Sequence, residues 1–145
     1  MEILVPILAA AVRSGTPVLY ATLGEILTER AGIMNLGLEG VMLVGAYAGF
    51  SVTKSTGNPW LGLLAAALAG ALLVTVHAFA CIHLGANQVV SGLALTLCGT
   101  GLSSLLGRAS IGETIRGLGP LPLPGLSQIP FLGPVFFRHD PLVYV

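Results

Sequence analysis

The longest stretch of this chain without an acidic or basic residue limits its fold more than any other feature. Residues 55–107, which are 53 positions, contain no Asp, Glu, Lys or Arg. A soluble domain needs a charged surface, yet charged residues make up only 8% of this chain, against about 25% in a typical soluble domain. The stretch therefore indicates a polytopic, all-α bundle of transmembrane helices.

The length of this stretch and the position of its most polar point predict two spans. A helix rises about 1.5 Å per residue, so about 20 residues cross a hydrocarbon core of about 30 Å. The stretch is too long for one crossing, and residues 83–88 (His-Leu-Gly-Ala-Asn-Gln) are its most polar point. We therefore predict spans at about residues 60–82 and 89–106.

The N-terminal third has a weaker pattern, in which a polar break separates two apolar segments. We predict spans at about residues 4–27 and 38–53, with a broken or re-entrant segment between them that contains two glycines, an asparagine and Glu29-Arg30. Such interruptions are typical of discontinuous helices that line a binding site or pathway. An ordinary polar loop would give the same pattern, and spacing alone does not separate the two interpretations.

The C-terminal part, residues 108–140, is predicted to be an ordered loop outside the membrane. It is rich in proline, which lacks the N–H that a helix interior needs, although residues 117–137 carry no charge. We expect an interfacial element around residues 131–137 and the start of a fifth span after Pro141. Residues 1–145 thus predict part of one transmembrane domain, with about four spans and the start of a fifth.

Small residues recur at the four-residue spacing that lets helices approach closely in lipid. Gly45 and Gly49 form a GxxxG pair in the second segment. The third and fourth segments carry further small residues, namely Ala65/Ala69, Ala66/Gly70, Ala67/Ala71, Gly92, Gly99 and Gly101. We interpret these spacings as close packing within the chain rather than as a specific dimer face.

Most polar residues within the apolar segments have a structural explanation. His77 and His83 are six positions apart and do not share a helix face, which argues against a metal pair. We predict that His77 is a hydrogen-bonded structural residue and that His83 ends a helix. Asn87, Gln88 and Ser91 stand at a helix start, where uncharged polar side chains cap backbone amides; the alternative is a solute gate at this position.

The ionisable residues and cysteines suggest no catalytic or metal-binding set. Cys81 and Cys98 lie in apolar segments and are interpreted as packed thiols. Arg13 is expected to snorkel towards the interface, and a pathway role is the alternative. Four ionisable residues cluster where the first two segments meet and could form a compensated network, namely Glu25, Glu29, Arg30 and Glu39. Glu39 in an early helical turn would also be stabilised by the helix dipole, and the zero net charge argues against nucleic acid as a partner.

Three segments of the chain resemble a known family. They are ERAGIMNLGLEG at residues 29–40, GANQVVSGLAL at residues 85–95 and PLPLPGLSQIPFLGP at residues 120–134. They resemble the permease subunits of ABC importers of the branched-chain amino acid and ribose type, most closely the nucleoside subgroup that works with basic-membrane-protein-type lipoproteins. The resemblance covers essentially the whole chain and implies that it is the N-terminal part of a longer permease.

The resemblance implies a transport subunit of a bacterial cytoplasmic membrane rather than an enzyme. Its expected solutes are nucleosides; the alternatives are a permease for sugars or branched-chain amino acids, and a non-transporting membrane anchor. The implied partners are a second permease subunit, a separate ATP-binding subunit that hydrolyses ATP, an extracytoplasmic solute-binding lipoprotein and the lipid bilayer. No cofactor or metal belongs to such a subunit.

The same resemblance places residues 32–49 near the translocation path. We expect Asn35 and Glu39, together with Thr22 and Glu25 of the facing first helix, to be pathway or gate residues. These four assignments are a hypothesis about function, because their spacing alone does not distinguish a pathway from an ordinary helix connection.

Two arguments about orientation disagree. Lys54, Arg108 and Arg116 lie on one side of the spans and Arg30 on the other, so the positive-inside rule makes the first side cytoplasmic. The resemblance instead places the Arg30 loop and residues 83–88 in the cytoplasm and the proline-rich loop outside. We follow the resemblance, because the count is three against one and the rest of the longer protein is expected to outweigh it.

Overall fold

The helices are long, and they begin and end at glycines, prolines and polar caps. The computed structural model describes residues 3–121 and 132–144. Within these ranges every regular element is helical, which confirms the predicted all-α class. The α-helices are α1 (Leu4–Arg30), α2 (Leu38–Thr56), α3 (Pro59–Ile82), α4 (Gln88–Gly107) and α5 (Leu132–Phe136), and 3₁₀ turns lie at Arg108–Ser110 and Pro141–Val143.

Three of the described helices are long and apolar enough to cross a membrane. They are α1, α3 and α4, the last together with the 3₁₀ turn that follows it to Ser110. The second helix has 19 residues, with Glu39 in its first turn and Lys54 in its last. The four long helices cover the four predicted segments, and each extends past the predicted bounds by at most three residues.

The chain divides into two compact units. The first contains the residues up to Thr22 and those from Gly117 onward, and the second contains Leu23–Arg116. Helix α1 therefore contributes to both units, and α2, α3 and α4 all lie in the second. Much of the predicted proline-rich loop, residues 122–131, lies outside the described residues, as does the start of the expected interfacial element.

In the second unit, α2 runs antiparallel to α3 with small residues between them. A Cβ atom added to Gly49 would lie 3.2 Å from the carbonyl oxygen of Gly62, and one added to Gly45 would lie 3.4 Å from that of Ala66. The first separation is slightly shorter than an ordinary contact and the second is an ordinary one, so the two backbones lie close together at the GxxxG pair. The prediction that these small residues pack within the chain is confirmed.

Helix α4 packs against α2 even more closely. A Cβ atom added to Gly99 would lie 2.5 Å from the Cα atom and the carbonyl oxygen of Gly40. Both glycines are buried. A Cβ atom added to Gly101, two positions further along α4, would meet no atom within 4 Å. The close approach therefore depends on one face of α4.

Polar side chains cap the starts of α3 and α4. The Asn58 side chain accepts a hydrogen bond from the Trp60 backbone N–H at 3.0 Å, and proline follows at the first helical position. At α4, the Asn87 side chain accepts from the N–H groups of Val89 and Val90. These bonds satisfy backbone donors that have no partner within the helix, and they confirm the cap predicted for Asn87. His83 lies at the C-terminal end of α3, as predicted.

Charged side chains gather at the opposite end of the second unit from residues 83–88. Lys54 forms an ion pair with Glu113, and both residues are partly exposed. Arg116 lines the same cleft as Lys54, so these two basic residues share one end of the unit, as the orientation argument assumed. Which end faces the cytoplasm stays a prediction.

The first unit contains a small buried cluster near the C-terminus. Val135 and His139 are each 1% exposed, and the His139 Nε2 atom lies 2.6 Å from the Val135 carbonyl oxygen. The Tyr144 hydroxyl accepts a hydrogen bond from the His139 N–H. The Tyr20 hydroxyl of α1 donates to the Leu142 carbonyl at 2.8 Å, so this unit joins distant parts of the chain.

Candidate functional site

The residues between α1 and α2 form a non-helical connector, which we define as residues 31–37. Helix α1 ends at Arg30, and Gly32 lies just beyond this end with a φ angle of +86°, which is readily adopted only by glycine. The Gly32 N–H donates to the Glu29 carbonyl, and the Ile33 N–H donates to the Thr28 carbonyl. This pair of bonds is the Schellman arrangement that closes a helix. The predicted interruption is therefore a real break in helical structure.

The connector lies at the end of the second unit where α3 ends and α4 begins. Non-helical backbone has no intrahelical partners, and in a membrane domain those lost hydrogen bonds must be replaced by protein or by water in a cavity. The structure shows the replacement in detail, because side chains from α1, α3 and α4 bind the backbone of the connector.

Gln88, the first residue of α4, binds the connector at two points. Its Oε1 atom accepts a hydrogen bond from the Met34 N–H at 2.8 Å, and its Nε2 donates to the Gly32 carbonyl at 3.1 Å. The two backbone groups belong to residues on either side of Ile33. The side-chain amide thus pairs with the connector as a peptide group of a neighbouring β-strand would.

His77, near the end of α3, binds the next carbonyl. The side chain is 2% exposed, its Nε2 lies 3.3 Å from the Met34 carbonyl oxygen, and its Nδ1 lies 2.9 Å from the Ser91 hydroxyl. A carbonyl oxygen can only accept, so Nε2 carries the hydrogen of this bond. His77 thereby joins α3, α4 and the connector, and the prediction of a hydrogen-bonded structural histidine is confirmed.

Glu25 and Asn35 join the end of α1 to the middle of the connector. The Glu25 Oε1 atom accepts from the Asn35 backbone N–H at 2.8 Å, and the Thr28 hydroxyl lies 3.1 Å from the other carboxylate oxygen. Asn35 is 5% exposed, and its Oδ1 atom accepts from the Gly37 N–H at 2.9 Å. The Asn35 side chain therefore binds the backbone at the start of α2. The N-cap residue of this helix is Gly37, which makes no side-chain cap hydrogen bond of its own.

The last part of the connector rests directly on α4. The Thr96 hydroxyl donates to the Leu36 carbonyl at 2.9 Å. A Cβ atom added to Gly92 would lie 2.8 Å from the Leu36 backbone nitrogen, and one added to Gly37 would lie 2.6 Å from the Leu95 side chain. The connector can occupy this position only because glycine stands at both places.

The structure brings together two of the four predicted site residues. Glu25 and Asn35 share a hydrogen bond. The Thr22 hydroxyl instead donates to the Val18 carbonyl of its own helix at 2.8 Å. Glu39 is exposed in the first turn of α2, where the helix dipole favours a carboxylate.

The ionisable residues where α1 meets α2 do not form the network considered from the sequence. In the part of the chain that the structure describes, these residues make no ion pair with one another. Glu25 is compensated by backbone and hydroxyl donors instead. The residues concerned are Glu25, Glu29, Arg30 and Glu39.

Sequence reasoning gave Gln88 and Ser91 the wrong role. Both were expected to cap α4, but only Asn87 does so. Gln88 and Ser91 instead act on the connector, directly and through His77. The signal that could have found them is the presence of uncharged polar residues beyond the one that a cap requires.

The side chains around the connector hold its backbone in place, and they do not form a catalytic or metal-binding group. In the ranges 3–121 and 132–144, no group of three or more His, Cys, Asp or Glu side chains is placed to hold a metal ion. Cys81 lies 3.7 Å from the His77 Nε2 atom, but both histidine nitrogens already face closer partners. Both cysteines are free thiols. The chemistry available to the site is hydrogen bonding, which fixes a non-helical segment among apolar helices.

Fold and site together define a polytopic α-helical membrane protein whose helices are interrupted by a side-chain-bound connector. The sequence pattern of the family described as the permease component of the branched-chain amino acid transport system matches residues 7–120. The chain belongs to this family of ABC transporter permeases, which confirms the resemblance drawn from its motifs. Membership, together with the three apolar helices, makes it a multi-pass protein of the cytoplasmic membrane.

Relatives within the family are named for two kinds of solute. A permease of Haloferax volcanii that is provisionally named for glucose is 46% identical over 143 residues, which cover 96% of this chain. A guanosine permease of Bacillus subtilis is 36% identical over 94% of this chain. A nucleoside permease of Lactococcus lactis is 36% identical over 88% of it.

The chain spans less than half the length of these curated relatives. The matched regions cover 44%, 46% and 43% of the glucose, guanosine and nucleoside proteins, respectively. No solved structure matches the chain.

Proposed function

We propose that this chain is part of the permease subunit of an ATP-driven importer that carries nucleosides across the cytoplasmic membrane. The observation that carries the proposal is the family match over residues 7–120, joined to two nucleoside-named relatives that align with nearly the whole chain. The three apolar helices agree with a membrane-embedded role.

A sugar is the second candidate solute. The relative named for glucose shares 46% of its aligned residues with this chain, more than either nucleoside-named relative. Nucleosides and sugars are both uncharged and rich in hydroxyl groups, so the same kind of polar pathway suits either. Uptake of labelled guanosine and labelled glucose by the full-length transporter, each with the other in unlabelled excess, separates the two candidates.

The proposed assembly contains a second permease subunit, an ATP-binding subunit and an extracytoplasmic solute-binding lipoprotein. ATP is hydrolysed by the ATP-binding subunit, and this chain provides part of the route through the membrane. Family membership supports this division of labour. Co-purification of the full-length permease with the ATP-binding subunit, followed by solute-stimulated ATPase measurements, tests it.

The connector and its surroundings are the proposed pathway or gate. Asn35 is buried within non-helical backbone, and discontinuous helices of this kind line pathways in other transporters. Glu25 is bound to Asn35, Glu39 begins the next helix as an exposed carboxylate, and Thr22 lies one turn before Glu25 on α1. Asn35 and Glu39 are the two residues on which the proposal depends most.

Substitution of these two residues in the full-length transporter tests the pathway role. Asn35→Ala and Glu39→Gln are each expected to reduce the initial rate of uptake about tenfold, at matched expression. Thr75→Val is the control, because the Thr75 hydroxyl donates only to the Ala71 carbonyl of its own helix. Wild-type uptake by both variants would refute the pathway role without touching the family assignment.

A further inference from the structure

We propose that Gln88 is a positioning residue for transport, because its side-chain amide fixes the register of the connector and thereby the placement of Asn35. The inference rests on the proposed function of the connector as a pathway or gate. It assigns to Gln88 a role beyond that of an ordinary helix-start residue.

The first step is the double hydrogen bond. The Gln88 amide accepts from the Met34 N–H and donates to the Gly32 carbonyl, so it binds both a donor and an acceptor of the connector. A shift of the connector by one residue would replace these groups with others of the wrong position or polarity. The pairing therefore selects one register, as the alternating groups of a β-ladder do.

The second step is that the Gln88 side chain does not cap α4, the helix to which it belongs. The Asn87 side chain already accepts from the N–H groups of Val89 and Val90, which are two of the four backbone donors without an intrahelical partner at this helix start. Removal of the Gln88 amide consequently leaves the cap of α4 in place. The loss falls on the connector.

The third step is an asymmetry in how the connector is bound. Side chains of α3 and α4 supply four hydrogen bonds to its backbone, from Gln88 twice, from His77 and from Thr96. The side chains of α1 supply one, from Glu25. Gly92 and Gly99 add close backbone contacts from α4 at and just after the connector. Apart from the backbone bonds to α1 at residues 31–33, the connector is therefore held mainly by α3 and α4.

The fourth step links Gln88 to Asn35. Met34, whose N–H is bound by Gln88 and whose carbonyl is bound by His77, immediately precedes Asn35 in the chain. Its peptide groups are thus fixed on both sides. The hydrogen bonds to Met34 therefore help to place Asn35, in addition to the bond from its own N–H to Glu25 and the bond from the Gly37 N–H to its side chain.

Two substitutions in the full-length transporter separate the functions of the amide. Gln88→Leu has a similar size and removes both hydrogen bonds. Gln88→Glu keeps an acceptor for the Met34 N–H and loses the donor to the Gly32 carbonyl. Thr75→Val is the matched control, since it removes a hydroxyl from an apolar helix without touching the connector.

Amide hydrogen exchange measures how well the backbone N–H groups of the connector are protected. In Gln88→Leu we expect exchange at residues 31–37 to become about tenfold faster, because the net free-energy contribution of the lost hydrogen bonds corresponds to a factor of about ten. Gln88→Glu is expected to give an increase at least as large, because its second carboxylate oxygen would face the Gly32 carbonyl oxygen and cannot donate to it. Residues 45–53 of α2 should exchange as in the wild type, which shows that the helices remain folded.

Uptake kinetics show whether the register matters for transport. The maximal rate is expected to fall about tenfold in both Gln88→Leu and Gln88→Glu, while the half-saturating solute concentration stays within about twofold of the wild type, since register acts on the passage step. A general loss of folded protein would instead lower the exchange protection of every helix.

The inference is overturned by either of two results. One is exchange at residues 31–37 that is the same in Gln88→Leu as in Thr75→Val. The other is faster exchange with a wild-type rate of uptake. A wild-type transporter that takes up neither nucleosides nor sugars would refute the proposed function instead, and that failure is visible without any Gln88 variant.

Discussion

Substitution of Gly99 by alanine is the sharpest test of how α2 and α4 pack. The added methyl group would lie 2.5 Å from the Cα atom of Gly40 and 2.6 Å from its carbonyl carbon, about 1 Å closer than an ordinary contact between carbon atoms. These are backbone atoms, which cannot rotate away, so the helices must separate. Overpacking of a core costs about 1–3 kcal/mol, and we expect Gly99→Ala to lower the free energy of unfolding by about 3 kcal/mol.

Gly101→Ala is the matched control on the same helix. The same methyl group meets no atom within 4 Å there, and alanine is favoured over glycine in a helix by up to about 1 kcal/mol. We therefore expect Gly101→Ala to be neutral or slightly stabilising. Denaturant titration of the full-length protein in detergent micelles, followed by circular dichroism, measures both variants. Equal midpoints for the two would refute the close approach of α4 to Gly40.

Two further predictions concern a helix cap and an ion pair. Asn58→Ala removes the acceptor of the Trp60 N–H and should destabilise the protein by about 1 kcal/mol, whereas Asn58→Asp keeps an acceptor and should retain most of the stability in the same titration; equal losses would contradict the cap. Lys54→Met removes the partner of Glu113 at a partly exposed site, so the loss should stay below about 1 kcal/mol. That loss should shrink further in about 1 M salt, where charges are screened within about 3 Å; a larger, salt-independent loss would show that the pair is buried.

The helices could be predicted from the sequence because the membrane imposes a length on each span. A charge-free stretch of known length and one polar point, residues 83–88, were enough to place the end of α3 and the start of α4 to within one residue. The ends of α1 and α2 were less certain. Polar residues continue those helices, so composition changes before the helical structure stops.

Small-residue spacing predicted close packing but could not name the partners. Gly45 and Gly49 meet α3 through Gly62 and Ala66, as their four-residue spacing allows. The closest approach to a backbone atom joins Gly99 to Gly40, a glycine that stands alone at the start of α2 and belongs to no repeat. Pairing between helices depends on how the helices are rotated and shifted relative to each other, and a single sequence does not specify this.

Only part of the candidate site could be predicted, because some of its contacts join residues that are far apart in the sequence. Glu25 and Asn35 lie ten positions apart around an evident break, and the structure joins them. Gln88 and Thr96 bind residues that precede them by 54 to 60 positions. A glutamine next to a helix start has an adequate local explanation in capping, so nothing in its surroundings indicates a distant partner.

The connector suggests how uncharged polar residues in apolar helices can be interpreted. A helix that crosses a membrane satisfies its own backbone, so it needs no polar side chains for stability. Where the chain leaves the helix, every lost backbone bond requires a partner, and the partners here are side chains near the adjoining ends of the neighbouring helices. Polar side chains that exceed the needs of a cap, such as those of His77, Gln88, Ser91 and Thr96, therefore mark where an unwound segment rests. By this reasoning, a cluster of that kind in the apolar helices of another membrane protein would predict an interrupted helix beside it.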